Sequence, residues 1–338
     1  MEWFAARATV RRTRNHEDIP ETKGIMRETY STQPLPQTQQ STRPSLPTQT
    51  KGSRWGILLA LFALYVIWGS TYLGMRIALN SFPPFLMAGI RFIIAGLLLY
   101  TFLRVRGTPA PTRAQLLGST LIGILLLAGG NGGVSFAEQW VSSGLAAVGI
   151  AAVPLWAALF IGLMGRWPKR IEWVGLALGF VGVILLNLEN GVWANPIGAI
   201  ALLLAPICWA LGSALSSRVA LPPGLMASAT QMLLGGTFLL ALGLLSGERI
   251  HSLPTMGALW AMLFLIFFGS LIAFSAYGYL LRTVRPALAT SYAYVNPAVA
   301  LGLGVLFAHE HITLIGVLAM VVILAGVGLV SLGRDRKS

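Results

Sequence analysis

The chain has 338 residues, 55% of them hydrophobic and only 10% charged, with a mean hydropathy of +0.73. A soluble domain of this length needs far more charge to cover its surface, so a soluble globular class is excluded. The net charge of +13 resides in a basic amino-terminal stretch and in short loops between apolar runs, which argues against nucleic-acid binding.

Residues 1–54 are rich in Thr, Gln, Pro, Ser and Arg and poor in bulky aliphatics. They read as a disordered cytoplasmic tail, because such a composition cannot bury enough apolar surface to offset the entropy of ordering. The opening MEWFAARATVRRTRN lacks the apolar core of a cleavable signal peptide, and Met26 is an alternative start.

From Trp55 onward, apolar runs near the roughly 20 residues that cross a bilayer follow in close succession. They lie at 56–79, 83–103, 114–137, 142–165, 172–189, 197–217, 224–246, 255–281, 287–308 and 312–332. The predicted class is an all-α polytopic membrane protein of ten spans joined by short loops. A basic cytoplasmic carboxy terminus, 334–338, follows.

Loop charge sets the orientation. One set of loops and the carboxy terminus carries Arg104, Arg106, Arg113, Arg166, Lys169, Arg170, Arg218, Arg282, Arg285, Arg334, Arg336 and Lys337. The alternate set carries Arg249 beside Glu138, Glu189, Glu248 and Glu310. Basic loops stay in the cytoplasm, so both termini are expected there.

An internal echo divides the chain. RIALNSFPPFLMA, starting at Arg76, returns as RVALPPGLMA, starting at Arg218, and five spans separate the copies. An odd number of spans sends the second copy into the membrane from the opposite side. A second echo aligns Gly144 and Pro154 with Ala287 and Pro297, at the same spacing. The halves, 55–190 and 191–333, therefore read as inverted five-helix repeats, an arrangement characteristic of secondary transporters.

Three prolines fall midway along spans: Pro154, Pro206 and Pro297. Each removes a backbone donor and frees carbonyls that lipid cannot satisfy, so kinks are expected beside protein or a wet cavity. Trp68, Tyr72, Trp156, Trp209, Tyr292 and Asn296 gather at similar depth, and Asn131 interrupts a Gly-Gly-Asn-Gly-Gly run in the third span. A side-chain amide at that depth either joins helices or meets a ligand. Core packing is the alternative for the aromatic rings. Arg91 is the cation placed well inside a span; it either faces the interior, with Glu138 or Glu310 as partner, or snorkels outward. No carboxylate falls at the middle of any span, which leaves no obvious proton carrier. Cys208, the single cysteine, reads as a small buried hydrophobe.

His309-Glu310-His311 lacks the spacing of a zinc helix and reads as an outer turn. The sequence contains no P-loop, no Gly-x-Ser-x-Gly elbow and no His/Cys metal spacing. No enzyme activity, cofactor or metal is expected.

Trp68-Gly-Ser-Thr-Tyr, Arg91-Phe and the mid-span prolines of the fourth and ninth helices resemble the EamA family of the drug/metabolite transporter superfamily, over about 56–332. The resemblance implies a ten-helix bacterial inner-membrane carrier that exports amino acids, other metabolites or drugs. It also implies a central cavity between spans one, three, four, six, eight and nine. Glu310 matches an acidic residue common in the family, whereas Gly165-Arg166-Trp167 stands where the first repeat often has a Glu. The expected partners are a small-molecule substrate and the lipid bilayer, with protons as a candidate coupling ion. A passive facilitator or channel, and a lipid flippase, are the competing readings.

Overall fold

The computed structural model describes residues 53–140, 143–165, 167–187 and 196–308, with isolated positions between 314 and 329. The amino-terminal tail, Glu310 with its flanking histidines, Arg166 and most of the tenth expected span lie outside the described residues. The regular structure among the described residues is all helix, with no strand among them.

The helices follow the apolar runs closely. They are α1 (Arg54–Ala78), α2 (Pro84–Val105), α3 (Arg113–Ala137), α5 (Arg170–Asn187), α6 (Pro196–Leu215), α7 (Leu225–Leu245) and α8 (Met256–Thr283). Two helices are broken: α4 into Ser143–Ile150 and Val153–Leu163, and α9 into Pro286–Ala289 and Tyr292–Ala308. Six of them (α1, α2, α3, α6, α7 and α8) are long and apolar enough to cross a membrane. Large side chains such as Leu59, Phe62, Leu98, Leu204 and Trp260 are exposed on the outside of the bundle, where lipid rather than water would meet them.

Local signals explain the ends. Thr112 and Gln115 form a reciprocal capping box at the start of α3, and Thr255 accepts the Ala258 N–H at the start of α8. Pro84 begins α2, where its missing N–H costs nothing. The next two donors, Phe85 N and Leu86 N, reach the Glu248 carboxylate at 3.2 and 2.8 Å. A residue of the second half thereby caps a helix of the first.

The helices that open with the echoed phrases, α2 and α7, pack closely along their length. A Cβ on Gly89 would lie 2.7 Å from Leu240 N, and one on Gly96 would lie 2.8 Å from Leu233 N. Contacts that fall along α7 as they rise along α2 require the two helices to run antiparallel. Small residues permit this approach in lipid, where association rests on close packing. Gly326, one of the described positions of the last span, packs on α5 in the same way, its would-be Cβ 2.7 Å from Gly179 N.

The expected kinks take different forms. Pro206 lies inside α6 and Pro297 inside the longer piece of α9. Pro154 instead sits in the first turn of the second α4 piece, just after a break at Ala151-Ala152. The corresponding break in α9 comes at Thr290-Ser291, six residues before its proline. The two echoed prolines thus occupy unequal local structures.

Candidate functional site

Three helices widen at mid-length into π-helical turns: α1 at Ala63–Trp68, α3 at Ile124–Gly132 and α8 at Leu265–Ile272. A π-turn leaves backbone groups poorly paired and commonly accompanies a functional site. Here the widened turns meet. Trp68 closes the first, Asn131 lies in the second, and Gly269 in the third accepts the Trp68 indole N–H at 2.9 Å. Thr71 Oγ1 donates to the Trp68 carbonyl at 2.7 Å, satisfying one acceptor in the widened turn.

A cavity opens beside these turns, enclosing about 400 Å³ of non-atom space including its mouth. Its wall is built by Trp68, Thr71, Tyr72 and Met75 of α1, Gly130, Asn131 and Val134 of α3, Ile150 of α4, Trp209 of α6, and Tyr292 and Asn296 of α9. Six of the seven residues expected to line a binding site are therefore brought together. The seventh, Trp156, is absent from this wall; it stacks on Phe160, one turn further along α4, with ring centroids 6.1 Å apart.

The aromatic wall is tightly ordered. Trp68 meets Trp209 edge-on at 5.5 Å and Tyr292 at 4.8 Å, the favoured geometry for rings with opposed face and edge charge. Tyr277 of α8, unremarked in the sequence, is the hub behind them. It contacts Trp68, Trp209 and Tyr292 at centroid distances of 5.3, 5.5 and 5.6 Å. Its hydroxyl accepts the Trp209 indole N–H at 3.1 Å and shares a 2.5 Å hydrogen bond with Ser213. The clue lay in the Ser-Ala-Tyr-Gly-Tyr stretch of α8, but nothing in its spacing set Tyr277 apart from exposed aromatics.

The polar groups divide by whether they are satisfied. With its amide nitrogen turned to the carbonyls, Asn296 donates to Leu64 O at 3.3 Å and Tyr292 O at 3.1 Å. Tyr65 and Ser291 share a hydrogen bond of 2.8 Å. The Asn131 side-chain oxygen, by contrast, is buried with no protein donor although it borders the cavity. An acceptor in that position is open to a ligand N–H or O–H. The flanking glycines explain how Asn131 gets there. A Cβ on Gly129 would strike Cys208, and one on Gly130 would lie 2.5 Å from the Trp209 ring.

Arg91 does not snorkel. It is 1% exposed, its guanidinium lies 4.4 Å from the Phe92 ring centroid, and its Nε and Nη1 find no protein acceptor. Glu138, expected at the outer surface, is instead fully buried, and neither carboxylate oxygen accepts a hydrogen bond. The Glu138 carboxylate feels the charges of both Arg76 and Arg91 without contacting Arg91. Arg76 Nη1 donates to the Glu138 main-chain carbonyl. At the start of α5, Glu172 pairs with Arg285 at 2.9 Å and accepts the Lys169 N–H, joining the two halves.

The sequence matches the EamA-like transporter family model twice, over residues 54–188 and 196–332. It is 50% identical over 276 residues to an Escherichia coli K12 protein described as the uncharacterized inner membrane transporter YedA, covering 81% of this chain and 90% of that one. It is 28% identical to Protein PecM of Dickeya dadantii, covering 82% and 94% of the two chains. A crystal structure at 20% identity superposes with a TM-score of 0.69 over 83% of this chain and 99% of that one, which is likeness of fold alone.

Proposed function

Because the chain belongs to the EamA-like transporter family and is a multi-pass inner-membrane transporter, we propose that it is a secondary exporter of small organic solutes working by alternating access. Its ten helices form two inverted repeats with both termini in the cytoplasm. One half rocks against the other around the aromatic cavity. Support for the two halves comes from the tandem family matches and from the antiparallel crossing of α2 and α7.

The observation that carries the binding site is the unpartnered Asn131 oxygen at a wall of Trp68, Tyr72, Trp209 and Tyr292. Aromatic faces with few charges suit amphipathic or weakly charged solutes, including neutral or aromatic amino acids and drug-like compounds. A metabolite efflux screen, comparing cells that overexpress the protein with cells lacking it, identifies the solute. Asn131→Leu then tests the site. It removes an unsatisfied acceptor, so stability should hold or rise while efflux falls at least tenfold; unchanged efflux removes Asn131 from the site. Exchange in proteoliposomes tests alternating access: absence of trans-stimulation favours a passive facilitator.

A further inference from the structure

Glu138 is the buried ionisable carboxyl that the cavity lining leaves unexplained. It stands one residue past the end of α3, its N–H bonded to the Val134 carbonyl at 3.0 Å. Asn131, Val134 and Glu138 follow at intervals of three and four, which places them along one side of the helix. The first two line the cavity, and the third lies a turn beyond its outer end. Met75, also in the wall, receives a contact from Ser135 at 3.4 Å, and the next residue, Arg76, bonds the Glu138 main chain. The segment of α1 that ends the cavity wall, Met75-Arg76, therefore also packs against the end of α3 that carries Glu138.

A carboxylate without hydrogen-bond donors is costly to keep ionised away from water. Burial pushes the Glu138 carboxyl well above the usual carboxylate range, and the charges of Arg76 and Arg91 offset this only in part. The charged and titratable groups that face it are Arg76 and Tyr72 from α1 and Arg91 from α2. The described stretches of α4, α6 and α7 carry no Asp, Glu, Lys, Arg or His. Glu248 is engaged at the start of α2, and His309, Glu310 and His311 lie outside the described residues.

We propose that Glu138 is the proton carrier of this transporter, taking one proton from outer water as the cavity closes on that side. Closure dehydrates the carboxyl and favours its neutral form. When the cavity opens to the cytoplasm, water reaching past Val134 accepts the proton, leaving a carboxylate beside Arg91 and Arg76. One proton thus moves inward for each outward passage of solute, and no bond other than the carboxyl O–H changes. This coupling rests on the proposed transport function, whereas the protonation of Glu138 does not.

Two measurements on the full-length protein separate the two claims. The first follows thermal unfolding in lipid nanodiscs between pH 4.5 and 8. A carboxyl that keeps its proton when folded but loses it when unfolded makes stability fall as pH rises from about 4.3, the ordinary glutamate value, toward the folded value. Glu138→Gln should flatten that decline; identical pH slopes for the two proteins overturn the proposal without any transported solute. The second uses proteoliposomes and radiolabelled L-phenylalanine, or the solute identified by efflux. An imposed pH gradient should drive uphill movement at least tenfold above the gradient-free level in the wild type and not in Glu138→Gln, which should retain downhill exchange. Wild-type exchange indifferent to the gradient overturns proton coupling, and absence of exchange from both proteins counts against the transport reading instead.

Discussion

Gly130→Ala tests whether the aromatic wall is as tightly packed as its geometry implies. The added Cβ would sit 2.5 Å from Trp209 Cε3 and 3.3 Å from its Cβ and Cδ2. Carbon atoms rest about 3.5 Å or more apart, so the ring must retreat by about 1 Å. It has little room, with Trp68, Phe274 and Tyr277 against it at centroid distances of 5.5, 6.5 and 5.5 Å. The same retreat carries the 3.1 Å bond between the indole N–H and Tyr277 toward 4 Å, outside hydrogen-bonding range. Overpacking costs about 1–3 kcal/mol and the lost bond about 1 kcal/mol, for a total of about 2–4 kcal/mol. Two glycines supply the contrast. At Gly132 the new Cβ meets a terminal methyl of Leu239 at 2.6 Å, which can rotate away, so the cost should stay below about 1 kcal/mol. At Gly302 it meets nothing within 4 Å, so alanine should be neutral or stabilising by up to about 1 kcal/mol. Unfolding of the three variants in one lipid or detergent system gives the order directly, and efflux should fall only in Gly130→Ala. Equal stability of Gly130→Ala and Gly132→Ala, with normal transport, would mean that the wall is loose enough to take up the extra methyl.

Glu248→Ala leaves the Phe85 and Leu86 donors at the start of α2 unpaired and should cost about 1–2 kcal/mol, with Glu248→Gln recovering part of it, read as unfolding midpoints. Arg285→Gln leaves the buried Glu172 carboxylate with the Lys169 N–H and should destabilise by about 1–3 kcal/mol in the same measurement. Since Cys208 is the single cysteine, a Cys208→Ser background permits topology mapping. Arg106→Cys should react with an impermeant maleimide only after the cells are permeabilised, and Arg249→Cys in intact cells; the reverse pattern inverts the orientation.

Much of the fold is legible in the chain because lipid leaves it few options. Every backbone group must be satisfied within its own segment, so a sufficiently long apolar run becomes a helix whatever its neighbours do. The expected boundaries of α1, α2, α3, α6, α7 and α8 accordingly fall within two residues of those observed. The gathering of Trp68, Tyr72, Asn131, Trp209, Tyr292 and Asn296 was legible for a related reason. Polar and amphipathic side chains at mid-span depth are costly against hydrocarbon, so they mark inward faces.

The remaining features depend on which helix lies beside which, and no local pattern encodes that. The π-turns of α1, α3 and α8 contain no proline, and they acquire meaning only where Trp68 reaches the Gly269 carbonyl. Trp156 is an aromatic residue at similar depth, yet it stacks on Phe160 one turn along its own helix and stays out of the cavity wall. Tyr277 became the hub of the aromatic wall through contacts across more than sixty residues of chain. Glu138 reads in the sequence as a loop residue at the outer surface. Its burial is a consequence of helix packing, and a charge removed from water changes its chemistry far more than its position along the chain would suggest. The amino-acid sequence by itself determined the helices, their family and the residues at mid-membrane depth. Tertiary structure alone decided which of those residues share a cavity and which carboxyl is deprived of water, because burial is a property of neighbours.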